Sequence, residues 1–253
     1  MTRIDELLDQ ALRSLPPKPP DTAERAAKKK YSEKMSKVVA NAFSEELRYR
    51  GLKEARPTDP GELGGSGAER RMAGGIGAKK VDVTWATEEG GLMFAASIKT
   101  INFRDRRTQT FQKNVSNRRG DMLFEAVTLH RRFPYTVLAG FFFFDRDAET
   151  DNRKKKTGKT TRRSTFVQAH ASLKLFSGRG DSAGRDEQLE RLYVVLVRAS
   201  PSKTSIAAYE AGKLKNPIPF DQIFDELIAL IAERNSDFYE VHDGRLVKLR
   251  GTR

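Results

Sequence analysis

The stretch from Lys79 to Asn102 places one aspartate and one lysine on neighbouring extended segments. Val81, Val83 and Trp85 alternate with Asp82 and Thr84, so a period of two turns Asp82 away from the apolar side chains. Leu92, Phe94, Ala96 and Ile98 alternate with Met93, Ala95, Ser97 and Lys99, which sets Ser97 and Lys99 side by side. Glu88, Glu89, Gly90 and Gly91 supply the turn of a hairpin. One carboxylate on the first strand and one ammonium near the end of the second make a compact device for holding a divalent cation beside a cationic helper.

A second acid stands out by its direction. From Tyr31 to about Leu52, Met35, Val38, Val39, Ala42, Phe43 and Leu47 form the apolar stripe of a helix, with Gly51 at its C-terminus. At about 100° per residue, Glu46 lies roughly 20° from Met35, near the middle of that stripe. An ionised carboxylate facing the interior needs a partner, and a metal, a lysine or an active-site cleft would serve. A helix twisted enough to let Glu46 reach solvent is the alternative.

Composition narrows the chemistry. The 253 residues carry a formal net charge of +13, so a polyanion is the expected partner, nucleic acid ahead of an anionic membrane surface. There is no cysteine and there are three scattered histidines, which excludes a thiolate nucleophile, a disulfide scaffold and a Cys-type zinc site. A metal would have oxygen ligands, which favours Mg²⁺. No run approaches the roughly 18 apolar residues of a membrane span, and a cytoplasmic protein is expected.

Basic residues cluster in three segments. Residues 54–78 read as a long glycine- and proline-rich loop, to which Arg70, Arg71, Lys79 and Lys80 give positive charge. Its Gly-Gly-Ile-Gly lacks the Lys-Ser or Lys-Thr of a phosphate-binding loop and precedes a strand, so an NTPase is rejected. Residues 102–119 carry Arg104, Arg106, Arg107, Lys113, Arg118 and Arg119, interleaved with Gln109, Gln112, Asn114 and Asn117. Cations suit phosphates and amides suit base edges, although a solvated loop would look alike. Residues 145–163, with Lys155 and Arg162 among their cations, form a third basic loop.

The elements that must position these groups follow in chain order. Residues 3–15 predict an amphipathic helix that packs on the body or on a second subunit, and the proline run 16–20 a stiff linker. A helix from Gly120 to Arg132 carries Glu125 off its apolar stripe and His130 on it, the latter read as a packed, hydrogen-bonded histidine. Tyr135–Phe144 and Leu192–Ala199 read as buried strands, residues 164–177 and Asp221–Arg234 as helices, and the tail from Tyr239 as an edge strand. The alternation predicts an α/β fold, a central mixed β-sheet with helices on both faces, in one domain over 21–253 preceded by the helix and linker of 1–20.

At this level the hairpin, the inward helix acid, the basic segment and the buried strand beyond it resemble the PD-(D/E)xK nuclease superfamily, the fold of many restriction endonucleases, over roughly residues 31–199. The resemblance implies a restriction endonuclease-like fold and Mg²⁺-dependent hydrolysis of double-stranded DNA. It matches Glu46, Asp82, Ser97 and Lys99 to the family's catalytic positions, with Ser97 standing where an acid is usual. Some members are similar in this Ser-x-Lys form and take the missing carboxylate from a helix, so the resemblance offers Glu46 or Glu125, with Glu46 preferred. It further implies that Asp82, Glu46 and the Ile98 carbonyl hold the metal while Lys99 activates water. A homodimer and a cognate DNA methyltransferase are implied partners, and a DNA-binding or regulatory protein without cleavage is the alternative. An RNA-binding protein is disfavoured because no aromatic stacking platform is evident.

Overall fold

The computed structural model describes residues 1–62, 71–73, 78–151, 163–200 and 202–249, with the backbone alone at 71–73, 78 and 79. Helices α1 (Arg3–Arg13) and α2 (Arg25–Tyr49) come first, followed by the short antiparallel pair β1 (Arg71–Ala73) and β2 (Ala78–Lys80). Next come β3 (Val83–Thr87), β4 (Gly91–Ile101), α3 (Lys113–His130), β5 (Val137–Asp145), α4 (Thr165–Leu173), β6 (Arg191–Arg198) and β7 (Ser205–Glu210). Helix α5 (Phe220–Arg234) and a hairpin of β8 (Tyr239–His242) and β9 (Arg245–Lys248) are the last described elements.

The fold is α/β. A five-stranded mixed sheet has the order β3-β4-β5-β6-β7, in which β4, β5 and β6 run parallel and the two edge strands antiparallel. Period-two alternation divides the core in two. Val137, Ala139, Phe141 and Phe143 of β5 face a layer with residues of α1, α2 and α5, whereas Leu138, Phe142 and Phe144 face one with residues of α3 and α4. A sheet buried on both faces needs continuous apolar runs, which is why β5 and β6 read so clearly.

Gly140 of β5 sets how closely α3 can lie. A Cβ there would stand 2.7 Å from Met122 Sδ and 2.5 Å from Leu192 Cδ1, so a side chain would push α3 off the sheet.

Several elements differ from the sequence expectation. Helix α3 starts at Lys113 instead of Gly120, because Val115, Met122, Ala126 and Leu129 form one continuous buried stripe that runs through the glycine. A mid-helix glycine costs only about 1 kcal/mol, and packing overrides it. Strand β7 was not foreseen; its alternate residues are only half buried. The tail pairs with itself across Asp243-Gly244, both at positive φ as a tight hairpin turn requires, and does not extend the main sheet. Ile4, Leu8, Leu12 and Leu15 enter the main core, so α1 packs on the body, and Lys18 of the proline run pairs with Asp145 at 2.6 Å.

Candidate active site

The end of the β3–β4 hairpin brings four of the chemically capable residues together. Asp82 immediately precedes β3, and the register Val83↔Ala96 continues to set it opposite Ser97. Asp82 Oδ2 accepts from the Ile98 backbone N–H at 2.6 Å, so the carboxylate is pinned to the second strand. Ser97 and Lys99 share one face, as alternation requires, and that face looks onto α3. There Ser97 Oγ donates to Glu125 Oε2 at 2.5 Å, while Lys99 Nζ lies 2.8 Å from Oε1 and 3.1 Å from Oε2. The Lys99 and Glu125 side chains are only 12% and 14% exposed, so this pair is screened far less than a surface ion pair.

Glu46 is elsewhere. It points inward as its helical position predicts and is 1% exposed, but its partners are arginines: Arg50 Nε at 2.7 Å and Arg3 Nη1 at 3.0 Å. Arg50 in turn reaches Asp221 and Asp225 of α5, so Glu46 belongs to a network that ties α1, α2 and α5 together. Ser36, earlier on the same helix, is the residue that meets Thr100, with 3.5 Å between hydroxyls. Glu46 lies ten residues beyond Ser36, about 15 Å farther along the axis. The helix acid that meets Ser97 and Lys99 is therefore not Glu46 but Glu125 of α3.

Asp82 and Lys99 line a cleft of about 1660 Å³. Its walls are the first half of α2, the end of the hairpin, the 103–107 segment and the start of α3. Eleven lysines and arginines line it against four carboxylates, Glu33, Asp82, Asp105 and Asp121. Of the expected DNA-binding residues, Lys80, Arg104, Arg106, Arg107, Lys113, Asn114, Asn117 and Arg118 line the cleft. Gln109, Gln112 and Arg119 do not: Gln109 Nε2 donates to the Arg106 carbonyl, Gln112 bonds to Gln168, and Arg119 lies over the Phe176 ring. Arg70, Lys155 and Arg162, with the side chains of Arg71 and Lys79, fall outside the described residues.

Part of this charge is locally spoken for. Lys113 pairs with Asp105 at 2.8 Å, and with the Thr108 amide it holds the Asp105 carboxyl well below the usual carboxylate range. Arg104 reaches Asp147 at 3.1 Å, and Arg106 donates to the Thr22 carbonyl at 2.6 Å.

The sequence reading missed the contribution of α2. Arg25, Lys28, Lys29 and Lys37 line the cleft with Glu33, which pairs with Lys29 at 3.6 Å. The signal was the polar face of the segment 24–37, opposite the apolar stripe that drew attention to Glu46.

The donor set near the hairpin consists of hard oxygens, two carboxylates and a hydroxyl, with no nitrogen or sulfur ligand, and this fits Mg²⁺ held by one or two carboxylates with water and phosphate oxygens. Among the described residues no group of three or more histidine, cysteine, aspartate and glutamate side chains is arranged to hold a metal. No protein-family model, curated protein or solved structure matches the chain at a significant level. Among the described residues no helix is long and apolar enough to cross a membrane.

Proposed function

We propose that the chain is a Mg²⁺-dependent DNA endonuclease of restriction type, on a restriction endonuclease-like fold, hydrolysing phosphodiester bonds in double-stranded DNA. What carries the reading is that Asp82 and Lys99 line a cleft rich in lysine and arginine, with Glu125 bonded to both Lys99 and Ser97. Asp82, Glu125 and the Ile98 carbonyl would hold the ion, which when bound polarises the scissile phosphate and acidifies a coordinated water.

The chain's own residues do the rest. Lys80 and the α2 and α3 cations neutralise the flanking phosphates and hold the duplex in register. Lys99, at the sheet end, orients the attacking water and stabilises the negative charge that grows on the phosphoryl oxygens. Ser97 donates to Glu125 and so brings a helix carboxylate to the strand in place of the acid usual at its own position. Site-specific cutting of both strands calls for two related centres, hence a homodimer, and a cognate methyltransferase would protect the same sites.

One observation favours a second reading, a DNA-binding or regulatory protein without cleavage. Glu125 is engaged by both Lys99 and Ser97, so its pairing competes with metal ligation. Titrating Mg²⁺ into the protein by calorimetry, alongside Asp82→Ala and Glu125→Gln, separates the two. Heat lost in both variants supports the nuclease, and a wild-type protein with no Mg²⁺ response supports the binding module.

A further inference from the structure

Because α3 starts at Lys113, residues that read as loop lie on one face of a helix. At about 100° per residue, Asn114, Asn117, Arg118 and Asp121 span roughly 100° of its surface. All four are exposed and line the cleft. Glu125 projects from the same face, about 12 Å along the axis beyond Asn117. One surface of α3 thus runs from the open cleft to the carboxylate that meets Lys99 and Ser97.

The two helical walls of the cleft differ in chemistry. Helix α2 presents Arg25, Lys28, Lys29 and Lys37 against the single carboxylate of Glu33, a positive surface suited to phosphates. The α3 face is neutral in sum, since Arg118 pairs with Asp121 at 3.6 Å, and its other two groups are primary amides. Of the asparagines lining the cleft, Asn102 is 4% exposed and donates to Ser32 Oγ at 3.3 Å. The Asn114 and Asn117 side chains are exposed and make no hydrogen bond among the described residues.

An uncharged amide gains little from a phosphate that lysines already neutralise. Its carbonyl and its NH2 together match the N6–H donor and N7 acceptor of adenine, a pair displayed in the major groove of DNA. A helix about 10–12 Å across fits a groove about 12 Å wide. The step from Asn114 to Asn117 advances about 4.5 Å along the axis, close to the roughly 3.4 Å between successive base pairs. We propose that the first two turns of α3 enter the major groove and that Asn114 and Asn117 select adenines at neighbouring base pairs. This rests on the reading of the cleft as a duplex DNA site and names what the site recognises.

The test selects bound duplexes from a random pool in Ca²⁺, then titrates the selected duplex by fluorescence anisotropy with its adenines replaced. Adjacent A·T pairs are expected in the selected site. 7-Deazaadenine, which lacks the N7 acceptor, and N6-methyladenine, whose methyl group points into the major groove, should each weaken wild-type binding about tenfold per contact. 3-Deazaadenine, altered only in the minor groove, should bind as adenine does. Asn114→Ala and Asn117→Ala, both exposed and checked by circular dichroism, should each lose the discrimination at one base pair. Their slope of log K against log salt should be that of wild type, because neither amide carries charge. Selected sites without adenine, equal binding of adenine and 7-deazaadenine, or wild-type discrimination in both variants would overturn the proposal and leave the nuclease reading standing. Absence of any duplex binding would overturn both.

Discussion

Lys99 Nζ lies 2.8 Å from Glu125 Oε1, an ion pair that joins the end of β4 to the middle of α3 across 26 positions of sequence. Because Ser97 donates to the same carboxylate, the strand's two polar side chains and the helix acid form one unit, with Asp82 anchored beside it on the Ile98 amide.

Glu125, not Glu46, is expected to supply the second carboxylate. Glu125→Gln should lower Mg²⁺-dependent cleavage by about 10²-fold or more. Glu46→Ala should leave the rate per folded molecule unchanged but cost about 3 kcal/mol, since it removes a partner of the buried Arg50. Plasmid cleavage and urea unfolding on the two variants decide it; equal loss of cleavage in the folded Glu46 variant would return the helix acid to the site.

Asp82→Ala and Lys99→Ala should each abolish cleavage and spare duplex binding measured in Ca²⁺. Circular dichroism on the same samples checks the fold, because Lys99→Ala leaves a nearly buried Glu125 without its counter-charge. Cleavage at the wild-type rate in either variant would remove this centre from the chemistry.

The α2 cations should track phosphates. Lys28→Glu with Lys29→Glu is expected to weaken binding uniformly across duplex sequences, and to reduce the slope of log K against log salt by roughly 0.9 for each lost phosphate contact. Fluorescence anisotropy over a salt series reads it; an unchanged slope would place the DNA elsewhere than the cleft.

Stability should fall between neutral pH and about pH 4 through His170. Burial holds its imidazole at about 4, below the ordinary 6.5, with the ring packed on Phe166 and Tyr209 and Nδ1 accepting from the Gly212 amide. The unfolded chain therefore binds more protons in that window, so stability is full above pH 6.5, declines as pH falls, and levels off below the folded value. Glu190 is a separate case: burial pushes its carboxyl up, but His130, Arg234 and the Leu138 amide together bring it below its ordinary 4.5, so its contribution is lost at lower pH. Urea unfolding from pH 7 to 4 should show the decline in wild type and a flatter profile in His170→Gln; parallel profiles would assign the dependence to other groups.

The elements legible in the sequence were those whose burial is simple. Continuous apolar runs marked β5 and β6, and alternation marked the β3–β4 hairpin and put Ser97 and Lys99 on one face. Val81, however, lies in the other core layer from Val83 and Trp85, and Leu92, beyond the register shift at Trp85/Ala86, in the other layer from Phe94, Ala96 and Ile98. What escaped depends on the third dimension. The same stripe argument that correctly turned Glu46 inward could not say that Arg3 and Arg50 were waiting there, from 43 residues before it and one turn after it. Glu125 stood second to Glu46 as the candidate acid; it lies off the stripe of α3, which is where a residue facing the sheet's polar end must be. The Asp243-Gly244 turn was readable and marks its hairpin by the positive φ at both residues.

The most direct measurement incubates the purified protein with long unmethylated duplex DNA in Mg²⁺ or EDTA, with Lys99→Ala alongside. Discrete fragments from the wild type in Mg²⁺ alone, and none from the variant, are the expected result. An intact duplex at a protein concentration that fully shifts it in a gel would contradict the nuclease and leave a DNA-binding module.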